Sequence, residues 1–149
     1  MIMGTFTLDL REYAKKTGAK MDTLVREVVI GVGERIIERS PVGNPSLWQS
    51  PPPAGYVGGR FRANWQHQFA SPPDGVLDAV DKTPATSLNR VVASVQAAPG
   101  AGVHYLANNL PYAHRLEDGW STQAPAGMVG LAVADFRGIV RDEIARMQA

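Results

Sequence analysis

The chain has 149 residues, of which 44% are hydrophobic and 19% are charged. This balance is typical of a folded globular protein, and the absence of cysteine excludes a disulfide scaffold, a thiolate metal site and a cysteine nucleophile. The net charge of +1, from 15 basic and 14 acidic residues, argues against a dedicated duplex-DNA binder, because such proteins carry a pronounced basic excess.

The length predicts a single domain over residues 1–149, because domains most often have roughly 100–150 residues. No apolar run approaches the ~18 residues of a membrane-spanning helix, and the first residues lack the basic and apolar regions of a signal peptide. We therefore expect a chain that folds in a cytoplasm, or in something assembled there, and has no membrane partner.

Residues 9–39 predict a long N-terminal helix. Apolar residues recur along its second part at three- and four-residue spacing, which indicates one buried stripe: Met21, Leu24, Val25, Val28, Val32 and Ile36. Gly31 and Gly33 interrupt this pattern at a cost of up to ~1 kcal/mol each, which is tolerable where another backbone packs close by. Pro41 disfavours helical geometry at Ser40 and should end the helix there.

Residues 41–59 are rich in proline and glycine and predict a long loop, because such a stretch suits neither a helix nor a central strand. The loop also contains Trp48 and Tyr56. Aromatic side chains in a loop of this length indicate that it packs onto something.

Residues 60–69 predict a strand, because polar and apolar residues alternate along them. The apolar side of the alternation is Phe61, Ala63, Trp65, His67 and Phe69; the polar side is Arg60, Arg62, Asn64, Gln66 and Gln68. A period of two places these sets on opposite faces, so we expect one buried face and one face open to solvent or a partner. On this pattern Trp65 is a core residue and not a stacking platform for nucleic acid.

The remaining elements complete an α+β prediction. Thr83-Pro84 can open a helix with Thr83 as its cap, residues 102–108 read as a second strand, Pro111 opens a short helix that ends near Gly119, and Pro125 opens the last helix. The predicted fold is a long N-terminal helix, a small antiparallel sheet with helices on one face, and a C-terminal helix. Two strands are few for a stable sheet, so either a strand near residues 76–80 or a neighbouring subunit should complete it.

No motif in the sequence marks a reaction centre. The three histidines, His67, His104 and His114, lie on different predicted elements, and none has the sequence spacing of a metal-binding motif, so a structural role is expected for each. The adjacent carboxylates Glu117 and Asp118 do not face each other on a helix, which disfavours catalytic pairing. We expect no enzyme activity, no cofactor and no metal.

Two segments taken together resemble a known family. The first is Ser40-Pro41-Val42 followed by residues 59–65, Gly-Arg-Phe-Arg-Ala-Asn-Trp. The second runs Asn108-Asn109-Leu110-Pro111-Tyr112-Ala113, then Leu116-Glu117-Asp118-Gly119, then Ser121, then residues 123–129, Gln-Ala-Pro-Ala-Gly-Met-Val. With the flanking helices, the chain resembles the head–tail connector and tail-completion proteins of long-tailed bacteriophages over nearly its whole length. It departs from them in the inserted loop at residues 43–58 and in Asp118, where relatives often carry an aromatic residue.

The resemblance implies a structural protein of the phage neck. Members of the family are not enzymes; they form rings that join the filled head to the tail. For this chain it implies a homo-oligomeric ring of six copies in the virion neck or tail, assembled in the host cytoplasm. The implied partners are other copies of the chain, portal-side or adaptor proteins, tail-tube or tail-terminator proteins, and DNA that passes through the lumen without sequence-specific binding.

Two sets of residues are candidates for this role. The first is a candidate subunit interface, since aromatic residues and arginines often dominate interfaces: Trp48, Tyr56, Arg60, Arg62 and Asn64. The second is expected to fix backbone shape through turn and capping chemistry: Asn108, Asn109, Pro111, Tyr112, Glu117, Gly119, Gln123 and Pro125.

Two other functions stay open at the level of the sequence. One is a nucleic-acid-binding module that uses Arg60, Arg62 and the basic residues of the first helix. The other is a hydrolase whose site is assembled from scattered residues and would need a deep polar pocket.

Overall fold

Helices alternate with two short strands along the part of the chain that the structure describes. This computed structural model describes residues 21–42, 50–52, 54, 58–81 and 83–148. These ranges contain six helices and two strands: α1 (Met21–Arg39), α2 (Arg60–Ala63), β1 (Gln66–Phe69), α3 (Pro84–Ala97), β2 (His104–Ala107), α4 (Ala113–Glu117), α5 (Val129–Ala134) and α6 (Phe136–Gln148). The predicted α+β class is confirmed. The predicted interface residues Trp48 and Tyr56, and the helix predicted before Met21, lie outside the described residues.

Helix α1 contributes to two hydrophobic clusters. Near its start Leu24 and Val28 pack against α6, and near its end Ile36 and Ile37 belong to the larger core that α2, α3, α4 and α5 complete. The helix ends at Arg39, as Pro41 predicts. None of the helices in the described ranges has the length and apolar character of a membrane span.

The glycines of α1 allow neighbouring helices to approach closely. A Cβ atom on Gly31 would lie 2.9 Å from Cγ2 of Ile139 on α6, and one on Gly33 would lie 3.3 Å from Cγ1 of Val91 on α3. The close neighbours are therefore side chains and not the backbone that the sequence led us to expect.

The sheet consists of β1 and β2, which pair antiparallel with Gln66 opposite Ala107 and Phe69 opposite His104. Helix α3, which lies between the two strands in the sequence, packs against β1 and against α1. Within the described ranges no third strand joins the sheet, and residues 76–80 are irregular and unpaired.

The prediction of a strand over residues 60–69 is wrong for its first half. Residues 60–63 form the short helix α2, and the strand begins only at Gln66. Phe61 and Trp65 are four residues apart, a spacing that shares one face of a helical turn as well as one face of a strand. The polar set is not an exposed face, because Arg62 is only 8% exposed and Asn64 is fully buried.

The prediction of one C-terminal helix opened by Pro125 is also wrong. Pro125 lies in a run of turns, α5 begins at Val129, and the chain breaks at Asp135 before α6. The apolar residues of this region are therefore divided between two helices. Ile139, Val140 and Ile144 of α6 pack against α1, whereas Val129 and Val133 of α5 are exposed.

The close contact at Gly31 predicts the sign of a substitution. Gly31→Ala should lower the free energy of unfolding by about 1 kcal/mol, because overpacking against Ile139 outweighs the gain in helix propensity. Gly138→Ala on α6, where the nearest atom is 3.8 Å from the new Cβ, should raise it by about 0.5–1 kcal/mol. Urea unfolding of both variants measures the difference, and a stabilised Gly31→Ala variant would contradict the packing argument.

Candidate functional site

The two segments that carry the family resemblance meet in the larger core. Phe61 and Trp65 from the first segment pack edge-to-face with ring centroids 5.8 Å apart, and Phe61 lies 6.3 Å from the ring of Tyr112 in the second. Leu116 and Met128 of the second segment are buried in the same cluster. Segments that are about 45 residues apart in sequence therefore form one site, which we call the motif junction.

Arg62 anchors the motif junction to the end of α1. Its guanidinium donates hydrogen bonds to the carbonyl oxygens of Ile37 at 3.1 Å, Glu38 at 3.4 Å and Ser40 at 3.2 Å. The last carbonyls of a helix have no partner within the helix and attract positive charge, so Arg62 satisfies and complements the end of α1. Burial lowers the pKa of this guanidinium, and the carboxylates of Asp81 and Glu38 oppose that effect.

Trp65 is joined to the same helix end. Its indole N–H donates to the hydroxyl of Ser40 at 2.7 Å, and that hydroxyl donates to the carbonyl of Ile36 at 2.8 Å. The side chain is 5% exposed, so the prediction of a core tryptophan is confirmed, although through α2 and not through the strand alternation.

Asn64 holds the irregular segment of residues 71–81, which we call the covering segment, against the motif junction. Its amide nitrogen donates to the carbonyls of Arg60 at 2.9 Å and Leu77 at 3.1 Å, and its amide oxygen accepts from the N–H of Leu77 at 2.7 Å. The side chain thus pairs with the backbone of Leu77 as a neighbouring strand would. An exposed partner surface at Asn64 is excluded by this geometry.

Two other amide side chains also donate hydrogen bonds to the backbone of the covering segment. The side-chain nitrogen of Gln66 donates to the carbonyl of Gly75 at 3.1 Å, and that of Asn109 donates to the carbonyls of Pro73 and Gly75 at 3.0 Å each. The polar residues that alternate along residues 64–68 therefore bind the covering segment of the same chain.

Asp81 closes the covering segment and starts α3. Its carboxylate accepts from the N–H of Thr83 at 3.2 Å and from the N–H and hydroxyl of Ser87 at 2.7 and 2.6 Å. Burial by itself would raise the pKa of Asp81, but these hydrogen bonds and the charge of Arg62 outweigh it and hold the pKa below its ordinary value. Thr83 occupies the predicted cap position without a side-chain hydrogen bond, so Asp81 provides the capping that the sequence assigned to Thr83.

Two hydrogen bonds link the segments of the motif junction directly. The side-chain amide of Asn108 donates to the carbonyl of Phe61 at 2.8 Å, and its oxygen accepts from the N–H of Leu110 at 3.3 Å. The side-chain oxygen of Gln123 accepts from the N–H of Val42 at 2.9 Å. Asn108 and Gln123 therefore hold the backbone in place, which is the role expected for the shape-determining residues.

Glu117 joins α4 to the start of α5. One carboxylate oxygen accepts from the N–H groups of Met128 and Val129, and the other accepts from that of Gly130, all at 3.0 Å. Burial by itself would raise the pKa of Glu117, but these three hydrogen bonds outweigh it and hold the pKa below its ordinary value of 4.5.

Gly119 ends α4 in the left-handed conformation that the sequence predicts, with φ of 89°. Its N–H donates to the carbonyl of Leu116, and the N–H of Trp120 donates to that of Arg115, which is the Schellman arrangement. A Cβ atom at Gly119 would lie 2.5 Å from the carbonyl oxygen of Pro125, so the turn also requires glycine for space.

The structure divides the predicted interface set. Arg62 and Asn64 face inward and bind backbone, Arg60 is half-buried, and the two aromatic residues lie outside the described ranges. The expectation that Arg62 and Asn64 form part of an exposed interface is wrong, because their polar atoms satisfy carbonyl and N–H groups that have no partner in a helix or strand. Of the shape-determining set, Pro111 and Pro125 are exposed and Tyr112 is buried in the core.

An apolar surface that sequence reasoning missed lies beside the motif junction. Helix α5 contains only apolar residues and glycine, but only Ala132 is buried; Val129, Leu131 and Val133 are 38%, 37% and 50% exposed. A cavity of about 310 Å³ borders this helix and is lined by Phe61, Trp65, Ala113, His114, Met128 and Val129 among others. A helix that is apolar all round is normally buried, so this surface has the character of a contact site.

Two of the polar residues at this cavity are engaged with the backbone. Asn108 and Glu117 also line it, but both bind backbone groups as described above. Among the described residues, no group of three or more metal-ligating side chains could hold a metal ion.

Comparison of the chain with family models, with curated proteins and with solved structures found no match.

The role of Asn64 predicts a local destabilisation. Asn64→Ala should lower the free energy of unfolding by about 3 kcal/mol, because it leaves the N–H and carbonyl of Leu77 without partners in a buried place. Gln66→Ala, which removes an exposed bond to the same segment, should cost less than about 1 kcal/mol. Hydrogen exchange at Leu77 should accelerate only in the first variant, and equal effects would contradict the assignment.

The role of Glu117 predicts a pH-dependent loss. Because its pKa is depressed in the folded chain, its stabilisation is present above the unfolded pKa of 4.5 and disappears as the pH falls through the folded value. Glu117→Gln should therefore cost about 2 kcal/mol at pH 7 and progressively less as the pH falls below 4.5. Thermal unfolding over a series of pH values from 7 downward measures this, with Asp118→Asn as the exposed neighbouring control; a cost that does not decrease below pH 4.5 would refute the role of the charge.

Proposed function

We propose that the chain is a structural subunit of the neck of a long-tailed bacteriophage virion, where copies of it form a ring, with six members expected, that joins the head to the tail and lets DNA pass. The observation that carries this proposal is the motif junction. Residues of the two resembling segments pack in one core and are joined by the hydrogen bonds of Asn108 and Gln123. A shared set of residues that fixes one backbone arrangement is what a common fold requires.

The exposed apolar surface of α5 supports self-assembly. A ring requires a heterologous interface, in which one surface of a subunit contacts a different surface of the next. We take α5 and the adjoining cavity as the first surface, since Leu131 and Val133 are apolar side chains exposed on a helix that has only one buried residue.

Residues 74–80 of the next copy are the proposed second surface. They are irregular, and Val76 and Val80 are 45% and 52% exposed beside the exposed carboxylates of Asp74 and Asp78. The cavity beside α5 is lined mainly by apolar side chains, and its carboxylate Glu117 is engaged by backbone N–H groups. The apolar side chains of one surface thus match an apolar cavity on the other, and exposed Arg115 next to the cavity is available to the acids of the next copy.

The described basic residues give less support to the alternative of a nucleic-acid-binding module. The guanidinium of Arg62 donates hydrogen bonds to carbonyl groups at the end of α1. On α1 itself, Arg39 contacts Asp135 at 2.7 Å, Arg35 lies 3.6 Å from the same carboxylate, and Arg26 donates to the carbonyl of Ala98. These interactions compete with phosphate for the groups that such a module would use.

Assembly and localisation test the proposed function. Antibodies against the chain should label purified virions at the head–tail junction, and mass photometry of the isolated neck should give a stoichiometry compatible with a ring. Absence of the chain from virions would refute the proposal. Binding of the purified chain to DNA that weakens steeply between two salt concentrations would favour the nucleic-acid alternative.

A variant tests the contact surface separately. Val133→Glu should abolish ring formation, because it places a charge in the apolar interface, and should leave the thermal unfolding temperature unchanged, because Val133 is 50% exposed. Val103→Glu, at a valine that is 54% exposed elsewhere on the chain, is the matched control and should assemble normally. Normal assembly of Val133→Glu would refute the interface at α5 without bearing on localisation in the virion.

A further inference from the structure

Two histidines that are far apart in the sequence form a hydrogen-bonded pair across the sheet. Nε2 of His67 on β1 lies 2.9 Å from Nδ1 of His104 on β2, with the ring centroids 5.2 Å apart and the ring planes inclined by 29°. At the outer ends of the pair, Nε2 of His104 lies 2.7 Å from the carbonyl oxygen of Gly100, and Nδ1 of His67 lies 2.7 Å from the hydroxyl of Ser94 on α3. These hydrogen bonds form a continuous series that links β1 and β2 to helix α3.

The carbonyl at one end determines where the protons lie when the pair is neutral. A carbonyl oxygen only accepts, so Nε2 of His104 carries a proton and its Nδ1 is an acceptor. Nε2 of His67 must then donate to His104, and Nδ1 of His67 must accept from the hydroxyl of Ser94. In this state each of these four groups has a hydrogen-bond partner of the right kind.

One added proton leaves every contact satisfied as well. It occupies Nδ1 of His67, which then donates to the oxygen of Ser94. The hydroxyl of Ser94 is free to turn to the carbonyl of His67, which lies 3.2 Å away. The proton between the rings stays in the 2.9 Å contact and is shared by the two imidazoles.

A second added proton cannot be accommodated. Both nitrogens of each ring would carry hydrogen, so two N–H groups would face each other across 2.9 Å and two positive charges would lie in neighbouring rings. We propose that His67 and His104 form a pH-sensitive latch that holds a single proton and that a second proton opens, separating β1 from β2 and from α3.

The surroundings of the pair oppose added positive charge. Arg90 of α3 lines the same cavity as His67 and Ser94, and Phe69 of β1 lies edge-on at 5.0 Å from the ring of His104. Burial, and then the neighbouring His104, lower the pKa of His67. A cation on α3 and an aromatic ring therefore face the pair from its neighbouring elements.

Charged groups of α1 reach the loop that holds the end of the latch. The carboxylate of Asp22 accepts from the N–H of Ala101 at 2.8 Å, and the guanidinium of Arg26 donates to the carbonyl of Ala98 at 3.0 and 2.9 Å. These contacts hold the Gly100 carbonyl in place while the histidines titrate.

The unfolded chain binds more protons than the latch at mildly acidic pH. The imidazoles of the unfolded chain can each take up a proton near about pH 6.5, whereas the folded pair cannot hold two. Stability therefore falls as the pH decreases below about 6.5, with the folding constant changing by up to about tenfold per pH unit for each missing proton.

Histidine-detected ¹⁵N NMR between pH 8 and pH 4.5 tests the proposal on the unmodified chain. The first protonation step should change Nδ1 of His67 from acceptor to donor while the scalar coupling across the contact between the rings persists. The second step should abolish that coupling and accelerate amide exchange in β1 and β2 together. Independent titration of the two rings, with the coupling unchanged throughout, would overturn the latch.

A pair of variants tests the stability effect. In His67→Gln the amide can donate to His104 but cannot take a proton, so the tenfold change in the folding constant per pH unit should be lost between pH 6.5 and pH 5. His114→Gln, at the exposed histidine, should keep the wild-type dependence. An unchanged pH dependence in His67→Gln would overturn the proposal, and if that variant does not fold, the NMR titration decides alone.

Discussion

The structure depends on the need to satisfy backbone groups that are buried where helices and strands end. Its irregular segments pass close to the core, and a buried N–H or carbonyl without a partner costs as much as a lost hydrogen bond. Arg62 at the end of α1, Asn64 beside Leu77, Asp81 at the start of α3 and Glu117 at the start of α5 each supply several hydrogen bonds at such a place. At these places polar side chains thus provide the hydrogen bonds that backbone groups provide within helices and strands.

This constraint explains why a chain with few strands has a defined shape. The sheet has two strands, and the covering segment that a third strand would replace is held by amide side chains of β1 and its flanks. The polar residues that a sheet would normally present to solvent instead form hydrogen bonds with the covering segment. Large apolar side chains nevertheless remain exposed at Val133 on α5 and at Val76 and Val80 on the covering segment, and these are the contact surfaces that we propose.

The same constraint connects the proposed assembly role with the latch. Contacts between subunits need surfaces of fixed shape, and β1 supports the covering segment through Gln66 while it binds β2 through His67. Protonation that separates β1 from β2 would therefore reach a surface that we assign to the next copy. A titratable pair at the centre of a shape-fixing network gives the fold a point at which pH can act on it.

The sequence alone determined the α+β class, the end of α1 at Pro41, the start of α3 at Pro84, the strand β2 and the left-handed turn at Gly119, because each depends on local spacing or on the backbone preferences of proline and glycine. It could not distinguish a helical turn from a strand at residues 60–63, because Phe61 and Trp65 are compatible with both periods. Only the tertiary structure decided that Arg62 and Asn64 face inward, that α5 is exposed, and that His67 meets His104. These features depend on which segments distant in the chain come together, and the partners of a polar side chain leave no periodic trace in the sequence.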